Sequence, residues 1–150
     1  MRMALRIVNA VRTVCDASDL LLLYRHTPIG PGYGLEDSLV LANALVDAGV
    51  DVLDMSPSSI DAPGDRAAPF ADLGVPVIAV NELDRVSRAI EVLREGRAHL
   101  VAVGRALIAD PNWAAKVRAG RFAEIIECVY CDECFKDLAD GIHVGCSQWA

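Results

Sequence analysis

Four of the five cysteines in this sequence lie together near its end. Cys128, Cys131, Cys134 and Cys146 follow the spacing C-x2-C-x2-C-x11-C. Three thiolates two residues apart can wrap one face of a cubane and a distant fourth can close it, so the spacing favours a 4Fe-4S cluster. Structural zinc more often uses two separated C-x2-C pairs, or cysteine with histidine. A zinc site, with His143 as a candidate ligand, and unliganded thiols therefore remain alternatives.

The composition indicates the partners and the cellular environment to expect for these cysteines. A net charge of −7 and a pI near 4.8 argue against nucleic acid or an anionic membrane as the main partner. No apolar run approaches the roughly 18 residues that cross a bilayer. Residues 1–12 carry scattered arginines and predict an amphipathic helix, not a secretory signal. We expect a cytoplasmic, reducing environment, where clustered cysteines are ligands or redox groups more often than disulfides. Cys15, far from the cluster, is expected to be a buried apolar residue.

The sequence before the cysteines, which must position them, alternates short apolar runs with longer amphipathic segments. This alternation is typical of βα units that form a parallel sheet. The predicted strands cover 19–25, 50–56, 75–80 and 99–104, and the predicted helices after them cover 35–49, 82–96 and 110–120. Asp110 is the expected N-cap of the last helix, with Pro111 at its first position. The residues from Pro57 to Gly74 predict a long loop with one short helical turn.

Four βα units amount to half of a (β/α)8 barrel, which typically has about 250 residues. A doubly wound sheet is the rival architecture, but no G-x-G-x-x-G follows the first predicted strand. We therefore predict an α/β fold with half of a TIM barrel over residues 1–122 and a cysteine-rich, cluster-binding segment over 123–150. Half a barrel leaves an open edge on each side of its sheet, and open edges favour a partner.

Several segments together carry a family resemblance. They are RIVNAVR, GYGLEDSLVLANALVDAGVDVLDMS, VPVIAV and EGRAHLVAVGRALIADPNW, followed by the cysteines. In this order the sequence resembles the second half of an Old Yellow Enzyme-type NADH:flavin oxidoreductase. Within that family it is most similar to the iron–sulfur branch, which contains 2,4-dienoyl-CoA reductase and trimethylamine dehydrogenase. The resemblance implies a TIM barrel with FMN at the C-terminal ends of its strands, and it favours the cluster over zinc.

The resemblance also implies roles for individual residues. Arg25 matches an arginine that contacts the flavin ring system, where a cation stabilises negative charge on reduced flavin. Gly104 and Arg105 match the pair that holds the FMN phosphate. The alternatives are a structural ion pair for Arg25 and a plain strand-to-helix turn at Gly104. Where the family usually has two glycines facing the phosphate, this sequence has Asn81 and Glu82. Asn81 can still offer its backbone amide, whereas the Glu82 carboxylate weakens phosphate binding unless it points away or caps a helix.

Other polar residues at predicted strand ends are weaker candidates, because a barrel keeps its active-site residues there. His26 is a candidate for lining a ligand pocket, and Tyr33, Asp54 and Ser56 could meet substrate or cofactor. His99, at the start of a predicted strand, is expected to be structural.

The functional prediction is a subunit of a split FMN-dependent oxidoreductase that is not active alone. Another chain would supply the first four strands, and the cluster would relay electrons to an electron-transfer flavoprotein or reductase. The expected reaction is alkene reduction or oxidative demethylation of an amine. One alternative is a non-catalytic scaffold subunit with a structural iron–sulfur or zinc site. Another is a fragment of a longer enzyme, which the start at Met1 disfavours.

Overall fold

The computed structural model describes residues 1–56, 66–80 and 82–149. Asn81, one of the predicted cofactor residues, and half of the predicted long loop (57–65) lie outside these described residues. The chain divides into two compact units. The first unit comprises Met1–Asn81 and Ile90–Ala102, and the second comprises Glu82–Ala89 and Val103–Ala150.

The first unit contains a parallel sheet that has four strands within the described residues. In spatial order, which is also chain order, they are β1 (Leu23–His26), β2 (Val52–Met55), β3 (Val77–Ala79) and β4 (Leu100–Val101). All three neighbouring pairs are parallel. The α/β class and the parallel sheet are therefore confirmed, and each strand overlaps a predicted one. The half barrel itself stays a prediction.

The strand β1 begins later than the sequence predicted, because the helix before it runs further. That helix, α1 (Arg2–Ser18), is amphipathic as predicted and buries Val8 and Cys15. It ends at Asp19, whose φ of 53° is left-handed, and the N–H of Leu20 still donates to the carbonyl of Cys15. The prediction that residues 19–22 belong to the strand was wrong for this reason.

The helix α2 (Leu35–Asp47) follows β1 and matches its predicted range closely. Its start is stabilised by the Asp37 carboxylate, which accepts the N–H of Gly34 at 3.1 Å. After the helix, Gly49 adopts a φ of 93°, which glycine accepts without a steric penalty. The side chains of Leu45, Leu53, Met55, Phe70 and Val77 are fully buried around the sheet and form the core of this unit.

The helix α3 (Val86–Arg94) begins later than the predicted residue 82. Glu82 has a φ of 50°, a left-handed conformation that cannot start a right-handed helix. The Nδ1 atom of His99 accepts the N–H of Val77 at 3.2 Å, which confirms its structural role.

The second unit contains three short helices: α4 (Arg105–Ala109), α5 (Trp113–Arg118) and α6 (Glu133–Ala139). The N-cap of α5 is Asn112, so the prediction of Asp110 as N-cap was wrong. The Asp110 side chain is only 3% exposed and accepts the N–H groups of Asn112 and Ile126, each at 3.0 Å, and Lys116 Nζ at 2.6 Å. The carboxylate therefore makes a cap-like bond to the N–H of Asn112 just before the helix, and it also anchors the segment before the cysteines. No helix in the described part of the chain is long and apolar enough to cross a membrane.

Candidate cofactor and cysteine sites

Arg25 lies at the carboxyl edge of the sheet, beside the end of β2. Its Nη1 atom forms an ion pair with Asp54 Oδ2 at 2.8 Å, and Nη2 donates to Ser56 Oγ at 3.2 Å. The side chain remains 59% exposed, whereas that of Asp54 is 18% exposed. The guanidinium is thus oriented by its neighbours and still accessible. The ion pair named as an alternative is present, and it leaves donors available for a ligand.

His26 follows Arg25 and is buried, with 7% of its surface exposed. Burial lowers the pKa of its imidazole, which is therefore neutral at neutral pH. Its ring centroid lies 6.3 Å from those of Tyr33 and Phe70, and its Nε2 atom has no hydrogen-bond partner among the described residues. His26 lines an open cavity of about 610 Å³ that Tyr24, Tyr33 and Ser38 also line, so it remains a candidate for contacting a ligand.

Gly104 and Arg105 lie at the start of α4, with Gly104 as its N-cap. A Cβ atom built on Gly104 would meet no atom within 4 Å, so open space surrounds this backbone. The Arg105 guanidinium lies over the Tyr130 ring, 4.5 Å from its centroid, and 5.9 Å from that of Phe135. Its Nη1 atom pairs with Asp132 Oδ1 at 3.1 Å. The residue expected to bind phosphate is therefore held by the cysteine segment.

Tyr130 connects the cysteine segment to the turn before α3. Its hydroxyl donates to Asp84 Oδ2 at 2.5 Å. Burial, and then the hydrogen bond to Asp84, raise the pKa of Tyr130 to about 12, so the hydroxyl keeps its proton at neutral pH. Its φ of 54° is left-handed, which is rare for a large side chain. Tyr130 was not among the predicted site residues, although an aromatic residue inside a C-x2-C motif was a visible signal.

The four predicted metal ligands surround one small cavity. Cys128, Cys131, Cys134 and Cys146 all line a space of about 20 Å³ and are free of disulfides. Hydrogen bonds from Ser147 and from the N–H of Glu133 lower the pKa of the Cys131 thiol, which favours the thiolate form that binds metals. Among the residues that the structure describes, no three His, Cys, Asp or Glu side chains are arranged to hold a metal ion. Four thiols are the donor chemistry that a thiolate-bound cluster uses, but in this structure they line the cavity without forming a metal-holding group. His143 is exposed and does not line the cavity.

The Glu82 carboxylate lies beside a cation. Its Oε2 atom is 3.8 Å from Arg88 Nη1 of α3, and both side chains are about half exposed. The left-handed backbone at Glu82 is the conformation that a glycine would adopt freely. The turn therefore keeps a glycine-like shape, while its carboxylate is partly neutralised by Arg88.

Comparison with known proteins finds similarity to flavin oxidoreductases. Residues 70–124 match the NADH:flavin oxidoreductase / NADH oxidase family. Over 88% of its length the chain is 31% identical to an NADH oxidase from Thermoanaerobacter brockii and covers 23% of that protein. The resemblance to flavin oxidoreductases is thus confirmed, whereas the iron–sulfur branch stays a prediction.

Solved structures show the same fold over nearly the whole chain. The structure of 2-naphthoyl-CoA reductase in complex with 2-naphthoyl-CoA gives a TM-score of 0.83 at 22% identity, covering 99% of this chain and 25% of that one. Histamine dehydrogenase from Rhizobium sp. 4-9 gives a TM-score of 0.85 at 19% identity, covering 98% and 24%. The chain therefore spans about a quarter of the length of these relatives.

Proposed function

We propose that this chain is one part of a split FMN-dependent oxidoreductase, in which it contributes half of a (β/α)8 barrel and a 4Fe-4S electron relay. The observation that supports the proposal is that all four cysteines line one small cavity, which Arg105, the expected phosphate ligand, also lines. The match of residues 70–124 to a flavin oxidoreductase family supports the flavin part of the proposal.

The proposed roles follow from the chemistry of each side chain. When bound, FMN supplies two-electron and one-electron redox chemistry, and a 4Fe-4S cluster supplies one-electron transfer. Arg25, oriented by Asp54 and Ser56, presents a cation at the carboxyl edge of the sheet, where it can stabilise an anionic ring. Arg105 offers guanidinium donors, and Gly104 offers an unobstructed backbone, to a phosphate.

The cysteine thiols would hold the cluster. The hydrogen bonds of Cys131 favour its thiolate, which is the form that binds metals. The proposed substrates are activated alkenes or amines, and a second chain would supply the first half of the barrel. An electron-transfer flavoprotein or a reductase would exchange electrons with the cluster.

The second candidate function is a scaffold subunit that binds no flavin and keeps the cysteines for a structural metal. The feature that favours it is Glu82, whose half-exposed carboxylate disfavours an approaching phosphate. In that case the chain binds its partner, and a metal bound by the cysteines stabilises the cysteine segment.

The anaerobic visible spectrum of the protein, purified with and without the products of neighbouring genes, tests these functions. Flavin bands with a broad shoulder at about 400 nm support the split enzyme, since thiolate-to-iron charge transfer gives such absorbance. The shoulder without flavin supports a relay or scaffold subunit, and a colourless protein that contains zinc overturns the cluster.

The ligand set is tested by Cys131→Ser. We expect this change to remove the shoulder and to lower the iron content, because one of four ligands is lost. Cys15→Ala is the matched control, since Cys15 is a free cysteine in the first unit. If Cys131→Ser retains the full shoulder, the proposed ligand set is wrong.

A further inference from the structure

We infer that Tyr130 is a positioning residue that holds the Arg105 guanidinium ready to bind a phosphate group. The inference rests on the proposed function, because it assigns Arg105 to the phosphate of FMN. Both residues and every contact used below lie in the second unit.

The Tyr130 ring constrains the face of the Arg105 guanidinium. The Cζ atom of Arg105 lies 4.5 Å from the ring centroid, within the range of a cation–π contact. A guanidinium is planar and carries its N–H donors around its edge. Stacking on a ring therefore restricts its rotation while leaving the edge donors available. Asp132 takes one donor, at Nη1, and the Arg105 side chain is still 32% exposed.

The hydroxyl end of the Tyr130 side chain is also held in place. Its hydroxyl donates to the carboxylate of Asp84, and Asp84 is in turn held through its backbone carbonyl, which accepts Trp113 Nε1–H at 3.2 Å. Trp113 is buried, with 7% of its surface exposed. The chain of contacts therefore runs from a packed indole to the guanidinium of Arg105.

The backbone of Tyr130 indicates that the side chain is needed. Its φ of 54° places a large residue in a region that glycine enters without penalty. Such strain persists only where surrounding contacts over-determine the conformation. Here the contacts are those of the tyrosine side chain, to Asp84 and to Arg105.

The orientation of Arg105 is measured first by NMR on the purified 150-residue chain. The Arg105 Nε–H signal, assigned by its loss in Arg105→Lys, should be shifted by the ring current of Tyr130. We expect Tyr130→Leu and Tyr130→Gly to abolish this shift and Tyr130→Phe to reduce it, because phenylalanine keeps the ring but loses the hydrogen bond to Asp84. The same signal in Tyr130→Leu as in the wild type overturns the inference.

Anion binding is measured second, by titrating FMN and inorganic phosphate against the same variants. Loss of an exposed cation–π contact should weaken binding about two- to fivefold in Tyr130→Leu and Tyr130→Gly, and by less in Tyr130→Phe, which keeps the ring. Tyr130→Gly is the sharpest variant, because it relieves the backbone while removing the ring. If Tyr130→Gly folds and binds both anions as the wild type does, the Tyr130 side chain does not position Arg105 and the inference is overturned.

Matched controls separate positioning from general damage. Tyr24→Leu makes the same substitution in the first unit, and it should leave the Arg105 signal unchanged. Circular dichroism establishes that each variant is folded. If phosphate perturbs Arg105 in a Tyr130-dependent way but FMN does not bind, the inference is supported and the proposed function fails. If Arg105 responds to neither probe, the inference is overturned.

Discussion

Glu82 shows how one side chain can oppose a function that its own backbone favours. The left-handed conformation of the turn suits glycine, yet the residue there carries a negative charge. We predict that Glu82→Gly raises the thermal midpoint by about 2–4 °C, since relieving left-handed strain contributes roughly 1 kcal/mol. The same variant should bind FMN a few-fold more tightly, because a carboxylate no longer repels the phosphate. Differential scanning fluorimetry and FMN titration measure the two effects.

Glu82→Gln separates the two causes, because it removes the charge and keeps the strained backbone. It should improve FMN binding without raising the thermal midpoint. If neither variant changes FMN affinity, Glu82 lies away from the phosphate.

The candidate site at residue scale was only partly predictable. The cysteine spacing identified thiols that do share a cavity, and the strand ending at Arg25 brought that residue to the sheet edge. The stacking of Tyr130 on Arg105 was not predictable, because no local sequence rule brings together residues so far apart in the chain.

At the scale of elements, one ion pair connects α1 to the sheet. Arg12 Nη1 lies 2.6 Å from Asp51 Oδ2 just before β2, and it also donates to the carbonyl of Gly49. The N–H of Leu22, just before β1, donates to the same carboxylate oxygen at 2.7 Å. The helix α1 is thus fastened to the amino ends of two adjacent strands.

This ion pair predicts a pH dependence of stability. The N–H of Leu22 and the guanidinium of Arg12 lower the pKa of Asp51 below its usual value of 3.8. The stabilisation is therefore fully present above that usual value, and it is lost as the pH falls through the lower pKa of the folded state. We expect Asp51→Asn to be less stable at pH 7 and to lose less stability on acidification. Thermal unfolding between pH 7 and pH 2 measures this.

Asp72→Asn is the control, since Asp72 is an exposed carboxylate in the same unit. It should follow the wild-type profile. An Asp51→Asn profile parallel to that of the wild type would show that the pKa of Asp51 is the same in the folded and the unfolded chain, and the prediction would be wrong.

The elements themselves were largely predictable, because apolar runs and amphipathic periods are local signals. The errors fall where a side chain has a distant partner or the backbone turns left-handed. The sequence around Asp110 is typical of an N-cap, but its carboxylate also accepts hydrogen bonds from the N–H of Ile126 and from Lys116 Nζ. The helices α4 and α6 were missed because they are too short to show a period.

At the scale of the molecule, the described sheet has two edge strands, β1 and β4. Apolar residues beside each edge are half or more exposed: Leu20, Leu21, Leu23 and Leu100. Under the proposed function these edges meet the strands of the second chain. We therefore predict that Leu21→Lys with Leu23→Lys prevents co-purification of that chain. The fold itself should persist, because neither side chain is in the core.

Leu93→Lys is the comparison variant, an exposed leucine on α3 instead of on a strand edge. It should leave co-purification intact. Unchanged association in the double variant would show that the β1 edge is not the contact surface.

The order of the strands has a consequence for synthesis of the chain. Each strand pairs with the next one in sequence, as Leu23 does with Val52, Leu53 with Val77 and Ile78 with Leu100. No pairing in the described sheet has to wait for a segment from the far end of the polypeptide. Because nearby contacts cost little loop-closure entropy, each new strand can dock as it leaves the ribosome. The sheet can therefore grow during translation, in the order in which its strands are made.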